Sequence, residues 1–318
     1  MHIVCFLDGR PGHEKQTYGI VRALEKKVNL RLTEIKVSRR PVWQSFFGLI
    51  RLNLPWPADF HYNEITTKPD LVLGTGSSTH LAILGCKKQY KIPAVTCMTP
   101  DFFFRSRFDL CFVPAHDGLK QKQKNIFTTV GPPNCSKNKM KHRTDCGLIL
   151  VGGIDEKSHR WDSAELAKKI EKIVKKETAM QWVISTSPRT PDPMASELEK
   201  LSRSCPNVSF FDFRKTEFGW LEQQYDNCAS VWVTADSVSM VFEALTAGCS
   251  VGMIPVDWKK RDNKFKRSLS DLENKGFILP YGAWLEENYA WPEHENLNEA
   301  QRCADAILER WWPTKNLQ

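Results

Sequence analysis

One stretch of the chain indicates its fold class: Val231-Trp-Val-Thr-Ala-Asp236-Ser237-Val-Ser239-Met240-Val-Phe-Glu243-Ala-Leu-Thr-Ala-Gly248-Cys-Ser-Val-Gly-Met-Ile-Pro255. A β-rich run reaches Asp236, a helical pattern follows from Ser237, and Gly248 ends that pattern before a second β-rich run begins. This order predicts a strand, helix, strand unit. Ser237, Ser239 and Met240 fall at the start of the helix, where unpaired N–H groups and the helix dipole favour an anion such as a nucleotide phosphate.

Glu243 lies six residues beyond Ser237 in the same helix. From there its carboxylate would reach a ribose or sugar lying across the start of the helix and would accept two hydrogen bonds from its hydroxyls. The alternative is a surface helix residue that binds nothing.

The composition is that of a globular chain with room for two domains, since it has 318 residues of which 41% are apolar. There is no run of about eighteen apolar residues, and Met1 leads directly into a strand without a cleavable leader, so we expect a cytoplasmic protein. The ten cysteines lie singly, without a Cys-x-x-Cys pair or ligand-like histidine spacing, which favours buried free thiols. A net charge of +8 favours anionic partners, although a solvated basic surface is the alternative. Nucleic acid is disfavoured because the basic residues are spread along the chain.

The first half of the chain repeats the same pattern of a strand, a polar loop and a helix. Residues 2–8 predict a buried strand that runs into Gly9-Arg-Pro-Gly12-His13, and residues 69–73 predict one that runs into a loop containing Thr75, Gly76, Ser77 and Ser78. Two further strands end in polar residues near Asp101 and Asp117. This alternation predicts a doubly wound parallel sheet with ligands at the carboxyl ends of its strands. We expect His13, residues 75–78 and Asp101 to line one crevice, while a tight turn without a ligand is the alternative for residues 9–12.

A polar, basic run at residues 134–145 predicts a linker, after which the pattern starts again. A strand leads into Gly152 and Gly153, a helix begins near Asp162 with a capping-box Glu165, and residues 181–189 form a strand ending in hydroxyls and Arg189. We predict an N-terminal Rossmann-like domain over residues 1–140 and a second one over residues 146–295. The amphipathic helix in residues 296–318 would pack on either domain.

Two aromatic segments are flanked by arginines, at residues 39–56 and 102–108. Aromatic side chains interleaved with arginine suit the surface of an anionic membrane or a lipid-linked substrate. A core helix with a loop packed onto it explains the same pattern equally well.

These motifs resemble those of the GT-B glycosyltransferases, in which two Rossmann-like domains face each other across a cleft. In outline the chain is similar to the peptidoglycan member MurG, with Gly9 to His13 and Gly152-Gly153 as its two glycine loops and residues 236–248 as its donor-binding helix. It more closely resembles the bacterial relatives of the plant mitochondrial fission protein Elm (elongated mitochondria), which are described as glycosyltransferases. The matching motifs span both halves and include residues 9–16, 69–76, 185–189 and 236–240. The first loop departs from MurG in having Arg10 and Pro11 in place of glycines, which puts a shared acceptor in doubt.

The resemblance implies a transferase that moves a sugar from a nucleotide-sugar to a cell-envelope glycan or glycolipid, with lipopolysaccharide core as one candidate acceptor. The first domain would bind the acceptor through Gly12, Thr75, Gly76, Ser77 and Ser78. The second would bind the donor through Gly152, Gly153, Ser185, Ser187, Arg189, Asp236, Ser237, Ser239, Met240 and Glu243. The nucleotide-sugar is a co-substrate, so no cofactor is expected. The sequence contains no Asp-x-Asp motif, so no metal is expected either. Peripheral contact with the inner face of the anionic inner membrane is a further expectation.

An inverting transfer needs a base that deprotonates the acceptor hydroxyl and positive charge that stabilises the leaving diphosphate. Asp101 and His13 are the two candidates for the base. Each has a structural alternative, since Asp101 would also suit a helix cap and His13 would also hold the glycine loop closed. Two other functions are weighed against the transferase: an adaptor that recruits a partner to a membrane, and a nucleotide-sugar epimerase.

Overall fold

The computed structural model describes residues 1–38, 62–119, 123–217, 219–260, 263–294 and 296–313. The predicted aromatic segment at residues 39–56 lies outside these ranges. The chain divides into two compact units, which we call unit 1 (Met1–Cys135 with Asn298–Gln318) and unit 2 (Ser136–Leu297). Residues 136–140, which we predicted to end the first domain, therefore belong to unit 2.

Unit 1 contains a six-stranded parallel sheet in the order β2-β1-β3-β4-β5-β6. Its elements up to the second unit are β1 (His2–Leu7), α1 (Pro11–Glu25), β2 (Arg31–Lys36), β3 (Leu71–Thr75), α2 (His80–Tyr90), β4 (Ala94–Cys97), α3 (Phe102–Arg105), β5 (Leu110–Pro114) and β6 (Ile126–Thr129). Strands β1 and β3 are buried along their whole length, which explains their nearly continuous apolar sequences. Strands β2 and β3 lie on opposite sides of β1, so the strand order changes direction between β1 and β3. Ligands are expected at the carboxyl ends of the strands at such a switch point.

Unit 2 contains a second parallel sheet in the order β10-β9-β7-β11-β12-β14. Its elements are β7 (Arg143–Leu150), β8 (His159–Arg160), α4 (Ser163–Lys176), β9 (Gln181–Ser185), α5 (Asp192–Ser204), β10 (Val208–Phe211), α6 (Trp220–Asn227), β11 (Cys228–Thr234), α7 (Val238–Thr246), β12 (Ser250–Ile254), β13 (Asp257–Trp258), α8 (Lys264–Asn274), β14 (Ile278–Pro280) and α9 (Tyr281–Trp284). Strands β8 and β13 form a separate antiparallel ribbon. Numbered by appearance, the main sheet has the Rossmann order 3-2-1-4-5-6, and its switch point lies between β7 and β11.

The last helix, α10 (Glu299–Trp311), belongs to unit 1 although unit 2 precedes it in the chain. Its buried residues Ala300, Cys303, Ala304 and Ile307 join the core cluster formed by β1, β3 and α1. The amphipathic stripe predicted for this helix therefore covers the first unit.

Local signals account for several element boundaries in unit 2. The Asp162 carboxylate accepts a hydrogen bond from the Glu165 N–H at 3.0 Å, so α4 begins with the predicted cap. Helix α7 ends before Gly248, whose φ of +85° is the left-handed conformation typical of a glycine that follows a helix. The prediction of an α/β fold with two Rossmann-like domains is confirmed.

All ten cysteines are free thiols, and all but Cys135 are buried, which confirms the prediction from their spacing. Cys146 and Cys228, in the neighbouring strands β7 and β11, have their sulfur atoms 2.7 Å apart. The hydrogen bond with Cys228 lowers the pKa of Cys146, in spite of its burial. Burial raises the pKa of the Cys97 thiol to about 12.

Candidate functional site

Asp236 organises the carboxyl edge of the sheet in unit 2. It follows β11 directly opposite the loop after β7, at the switch point. Its Oδ2 accepts hydrogen bonds from the Gly153 N–H at 2.9 Å and from Nη2 of Arg189 at 2.8 Å. Its Oδ1 accepts from the Thr234 hydroxyl at 2.7 Å. Only 1% of the Asp236 side chain is exposed, so this carboxylate is a buried anchor for the two loops around it.

The two adjacent glycines are required by this packing. A Cβ at Gly152 would lie 2.1 Å from Oδ2 of Asp236, and one at Gly153 would lie 2.0 Å from the backbone of Arg189. Gly152 also donates its N–H to the Thr234 hydroxyl at 2.8 Å. The predicted glycine loop therefore lets a carboxylate and a neighbouring chain segment approach the backbone closely.

Two predicted donor-binding serines use their hydroxyls inside the protein. Ser185 donates to the carbonyl oxygen of Phe211 at 3.0 Å, and Ser187 donates to that of Gly152 at 2.9 Å. Both residues are buried. Their side chains hold the strand ends and loops in place, and the direct donor contact that we predicted for them stays a prediction.

The groups that remain open to solvent at this edge are cationic or polar. Arg189 is 42% exposed at its side chain and also donates to the Gly153 carbonyl at 3.3 Å. Next to it begins α7, with Ser237 as its buried N-cap, Ser239 exposed and Met240 half-buried. The first N–H groups of a helix have no acceptor within the helix. A guanidinium and a helix N-terminus thus lie side by side, and both favour an anion.

Glu243 is not a surface residue of α7, because only 6% of it is exposed. Its carboxylate lies close enough to the buried phenol of Tyr225 to affect it. Burial first, and the Glu243 charge second, hold the pKa of Tyr225 well above its usual value. Tyr225 in turn donates a hydrogen bond to the Met240 carbonyl at 3.5 Å. This part of the predicted donor site therefore lies beneath the first turns of α7.

In unit 1 the corresponding edge is organised by Asp8, which we did not predict. Nδ1 of His13 lies 2.9 Å from Oδ2 of Asp8, and the Arg10 N–H donates to Oδ1 at 3.2 Å. Helix α1 begins at Pro11, so Gly12 is in its first turn with open space around it, whereas Gly9 has the positive φ of the loop, +74°. Residues 11 and 12 of the turn that we predicted at residues 9–12 therefore belong to α1.

The loop after β3 meets this pair. Gly76, with a φ of +88°, lies against the imidazole of His13, since a Cβ there would be 2.4 Å from Nδ1. The hydroxyl of Thr75 is buried and lies 2.8 Å from that of Thr17 on α1. Ser77 is exposed and Ser78 is half-buried in the short 3₁₀ turn that follows. Strand β3 thus brings His13 and Gly76 together, as the predicted crevice requires.

Asp101 lies at a different place on the same edge, after β4. It is exposed at the N-cap position of α3, yet its side chain makes no capping hydrogen bond. Its charge is felt by the buried His80, where burial lowers the pKa to about 4 and Asp101 opposes that shift. His80 packs against the rings of Phe104 and Phe108, at centroid distances of 5.8 and 5.2 Å. Within the described part of the chain, the ring of His13 contacts the Asp8 carboxylate, whereas the charge of Asp101 acts on His80.

The described residues also bear on metal binding and on membrane insertion. No group of three or more His, Cys, Asp or Glu side chains in that part of the chain could hold a metal ion. Among its helices, none is both long and apolar enough to cross a membrane.

Comparisons with known proteins agree with this architecture. Residues 11–311 match the family model described as Mitochondrial fission ELM1, which confirms the resemblance noted above. A comparison with curated protein sequences found no significant match. The structure is similar to a UDP-GlcNAc 2-epimerase from Neisseria meningitidis bound to UDP-GlcNAc, with 15% identity, coverage of 98% of this chain and 99% of that one, and a TM-score of 0.54.

Two other solved structures give comparable values. The S. aureus MnaA–UDP complex is 13% identical, with 98% of this chain and 89% of that one covered and a TM-score of 0.52. The glycotransferase of kitacinnamycin is also 13% identical, with 98% and 99% covered and a TM-score of 0.53. At such identities the likeness concerns the fold.

Proposed function

The chain belongs to the mitochondrial fission ELM1 family, and from this premise we propose that it is a glycosyltransferase. It takes a sugar from a nucleotide-sugar donor and transfers it to a cell-envelope glycan or glycolipid, of which lipopolysaccharide core is one example. The reaction is metal-independent and inverts the configuration at the anomeric carbon. Unit 2 binds the donor, and unit 1 binds the acceptor.

The observation that carries the proposal is the juxtaposition of Arg189 with the start of α7 at the switch point of unit 2. A nucleoside diphosphate would bind there through the guanidinium and the first N–H groups of the helix. Support comes from the two similar structures whose descriptions name UDP or UDP-GlcNAc as ligands. The same positive groups would stabilise the charge that develops on the leaving diphosphate. We assign the ribose hydroxyls to Glu243.

We assign the general base to His13 rather than to Asp101. The His13 ring is held between Asp8 and Gly76 at the carboxyl edge, with 15% of its side chain exposed. An imidazole is the side chain that most often acts as a general base in enzymes. Asp101 is exposed at the start of α3, and its side chain makes no capping hydrogen bond there that would orient it.

We further propose that unit 1 contacts the anionic inner face of the inner membrane, or the lipid part of its acceptor, through α3. Phe102 and Phe103 are 76% and 67% exposed, with their rings 5.8 Å apart. Arg105 and Arg107 follow in the same segment. Exposed aromatic rings beside arginines suit the headgroup region of such a membrane.

The donor site is tested by isothermal titration calorimetry with UDP-, GDP-, ADP-, dTDP- and CMP-sugars. The Arg189→Ala variant loses a charged hydrogen bond worth about 1.5–3 kcal/mol, so we expect affinity for the preferred nucleotide to fall roughly 10- to 100-fold. Arg203→Ala is the matched control, because Arg203 is an exposed arginine on α5 paired with Glu199. Arg189→Lys keeps the charge and should retain part of the affinity. Binding of no nucleotide would favour the membrane adaptor.

An epimerase is the second candidate, since UDP-GlcNAc 2-epimerases are among the similar structures. The two activities differ in their need for an acceptor. An epimerase changes the configuration of a carbon in the sugar of the nucleotide-sugar and needs no acceptor. Proton NMR of that sugar would detect the change. A transferase releases the nucleoside diphosphate only when a glycan acceptor is present. NMR of the preferred nucleotide-sugar with enzyme alone therefore separates them.

A further inference from the structure

The Asp8 carboxylate is completely buried, with 0% of its side chain exposed, yet it lies at the end of β1 beside a candidate catalytic ring. Its two oxygens have different partners. Oδ1 accepts from the Arg10 N–H at 3.2 Å, while Oδ2 faces Nδ1 of His13 at 2.9 Å. Nε of Arg10 lies 4.0 Å from Oδ2, which places a positive charge beside the carboxylate.

An ionised carboxylate has no proton to donate, so the hydrogen bond with His13 requires the proton to be on Nδ1. In the neutral ring, Nε2 then carries the lone pair. Gly76 packs against the Nδ1 and Cε1 edge of the ring, since a Cβ at Gly76 would be 2.4 and 2.5 Å from these atoms. The hydrogen bond with Asp8 fixes which nitrogen of His13 is the acceptor, because a turned ring would lose it.

We propose that Asp8 is a positioning residue that holds His13 as the Nδ1–H tautomer and leaves Nε2 free as the base. Asp8 also stabilises the imidazolium that forms when Nε2 takes a proton. The role of Nε2 as the base rests on the proposed function, whereas the assignment of the His13 tautomer does not.

The proposed sugar transfer conserves the proton and the electron pairs. The O–H bond of the acceptor breaks as Nε2 binds its proton, and the acceptor oxygen forms a bond to the anomeric carbon of the donor. The bond between that carbon and the diphosphate oxygen breaks, and its electron pair leaves with the nucleoside diphosphate. His13 afterwards loses the proton to solvent.

A purely structural role for Asp8 would consist of holding the turn through Arg10. The variant Asp8→Asn distinguishes the two roles because its amide oxygen can still accept from the Arg10 N–H. Its NH₂ group would then face Nδ1 of His13, which must become the acceptor. The turn is retained, but the proton moves to Nε2.

The test is long-range ¹H–¹⁵N NMR of the full chain at about pH 8.5, where a neutral histidine ring reports its tautomer through its nitrogen shifts. The His13 signal is identified by its loss in His13→Gln. We expect the Nδ1–H tautomer in the wild type and the Nε2–H tautomer in Asp8→Asn. An Nε2–H tautomer in the wild type overturns the proposal even if the variant does not fold, and so does an unchanged tautomer in a folded variant.

Once a donor and an acceptor are known, kinetics test the role of Nε2 as the base. For Asp8→Asn we expect kcat to fall by roughly 10³- to 10⁴-fold, as expected for a base held in the wrong tautomer. The affinity for the nucleotide should be unchanged, since Asp8 lies in unit 1. A variant with the altered tautomer and normal kcat would refute the catalytic role of Asp8. Failure to find any transferase activity would refute the proposed function and leave the tautomer result standing.

Discussion

The substitution Gly152→Ala tests the geometry around Asp236 most directly. A Cβ at this position would lie 2.1 Å from Oδ2 of Asp236, so the carboxylate must move by about 1 Å to restore a normal contact. That movement disrupts its hydrogen bonds from the Gly153 N–H at 2.9 Å and from Arg189 at 2.8 Å. We therefore expect both a loss of stability in unit 2 and a disordered donor site.

The magnitude follows from four contributions to the free energy of unfolding. Overpacking costs about 1–3 kcal/mol, and the loss of the buried charged hydrogen bond from Gly153 costs about 1.5–3 kcal/mol. The ion pair with Arg189 contributes less, about 0–1 kcal/mol, because the guanidinium is half-exposed. Replacing a glycine lowers the entropy of the unfolded chain and returns about 0.5–1 kcal/mol. The net expectation is a destabilisation of about 1.5–6.5 kcal/mol.

Chemical unfolding followed by tryptophan fluorescence measures this value, because the fully buried Trp182, Trp232 and Trp284 all report on unit 2. Gly282→Ala is the matched control: it adds the same methyl group in the same unit, and no atom lies within 4 Å of its Cβ. That variant should be as stable as the wild type or slightly more so. If Gly152→Ala unfolds at the same denaturant concentration as Gly282→Ala, Asp236 does not occupy the position described here.

Two other predictions concern unit 1. Burial lowers the pKa of His80 to about 4 from 6.5, so the unfolded chain binds a proton that the folded chain excludes, and stability falls by about 3 kcal/mol as the pH drops from about 6.5 to about 4. His80→Leu should remove this part of the pH dependence in urea titrations, and parallel curves for the two proteins would contradict it. Replacing Phe102 and Phe103 by serine should reduce co-sedimentation with vesicles containing about 30% phosphatidylglycerol by several-fold. The control Phe211→Ser removes a partly exposed ring from unit 2 and should bind as the wild type does; equal binding by all three proteins would rule out α3 as the membrane contact.

The elements that could be predicted from the sequence are those with local causes. Helix α7 and its end at Gly248 follow from periodicity and a glycine, and the start of α4 follows from the spacing of Asp162 and Glu165. Even the alternation of strands and helices is a local pattern, and from it two parallel sheets follow by general rules of chain connection.

The parts that could not be predicted depend on partners distant in sequence. The Ser187 hydroxyl donates to the carbonyl of Gly152, an acceptor on another strand end that the sequence near Ser187 does not indicate. Asp8 lies at the end of a strand five residues before His13, which is a usable signal, but only the folded turn joins their side chains at 2.9 Å. The glycine within β7, Gly147, is explained by the ring of Trp182, since a Cβ there would lie 2.3 Å from it. These contacts cannot be predicted from a local sequence pattern.

The position of α10 has a consequence for folding during translation. Because unit 2 is inserted between β6 and α10, the surface of α1 that Ala300, Cys303, Ala304 and Ile307 cover stays bare until α10 has been translated. Ribosomes add about 5–20 residues per second, so the first unit waits for on the order of ten to thirty seconds while the second is made. The second unit is continuous in the chain and can fold as soon as it emerges. Unit 1 thus leaves the ribosome first but is completed last. We therefore expect chaperones to bind unit 1 during translation.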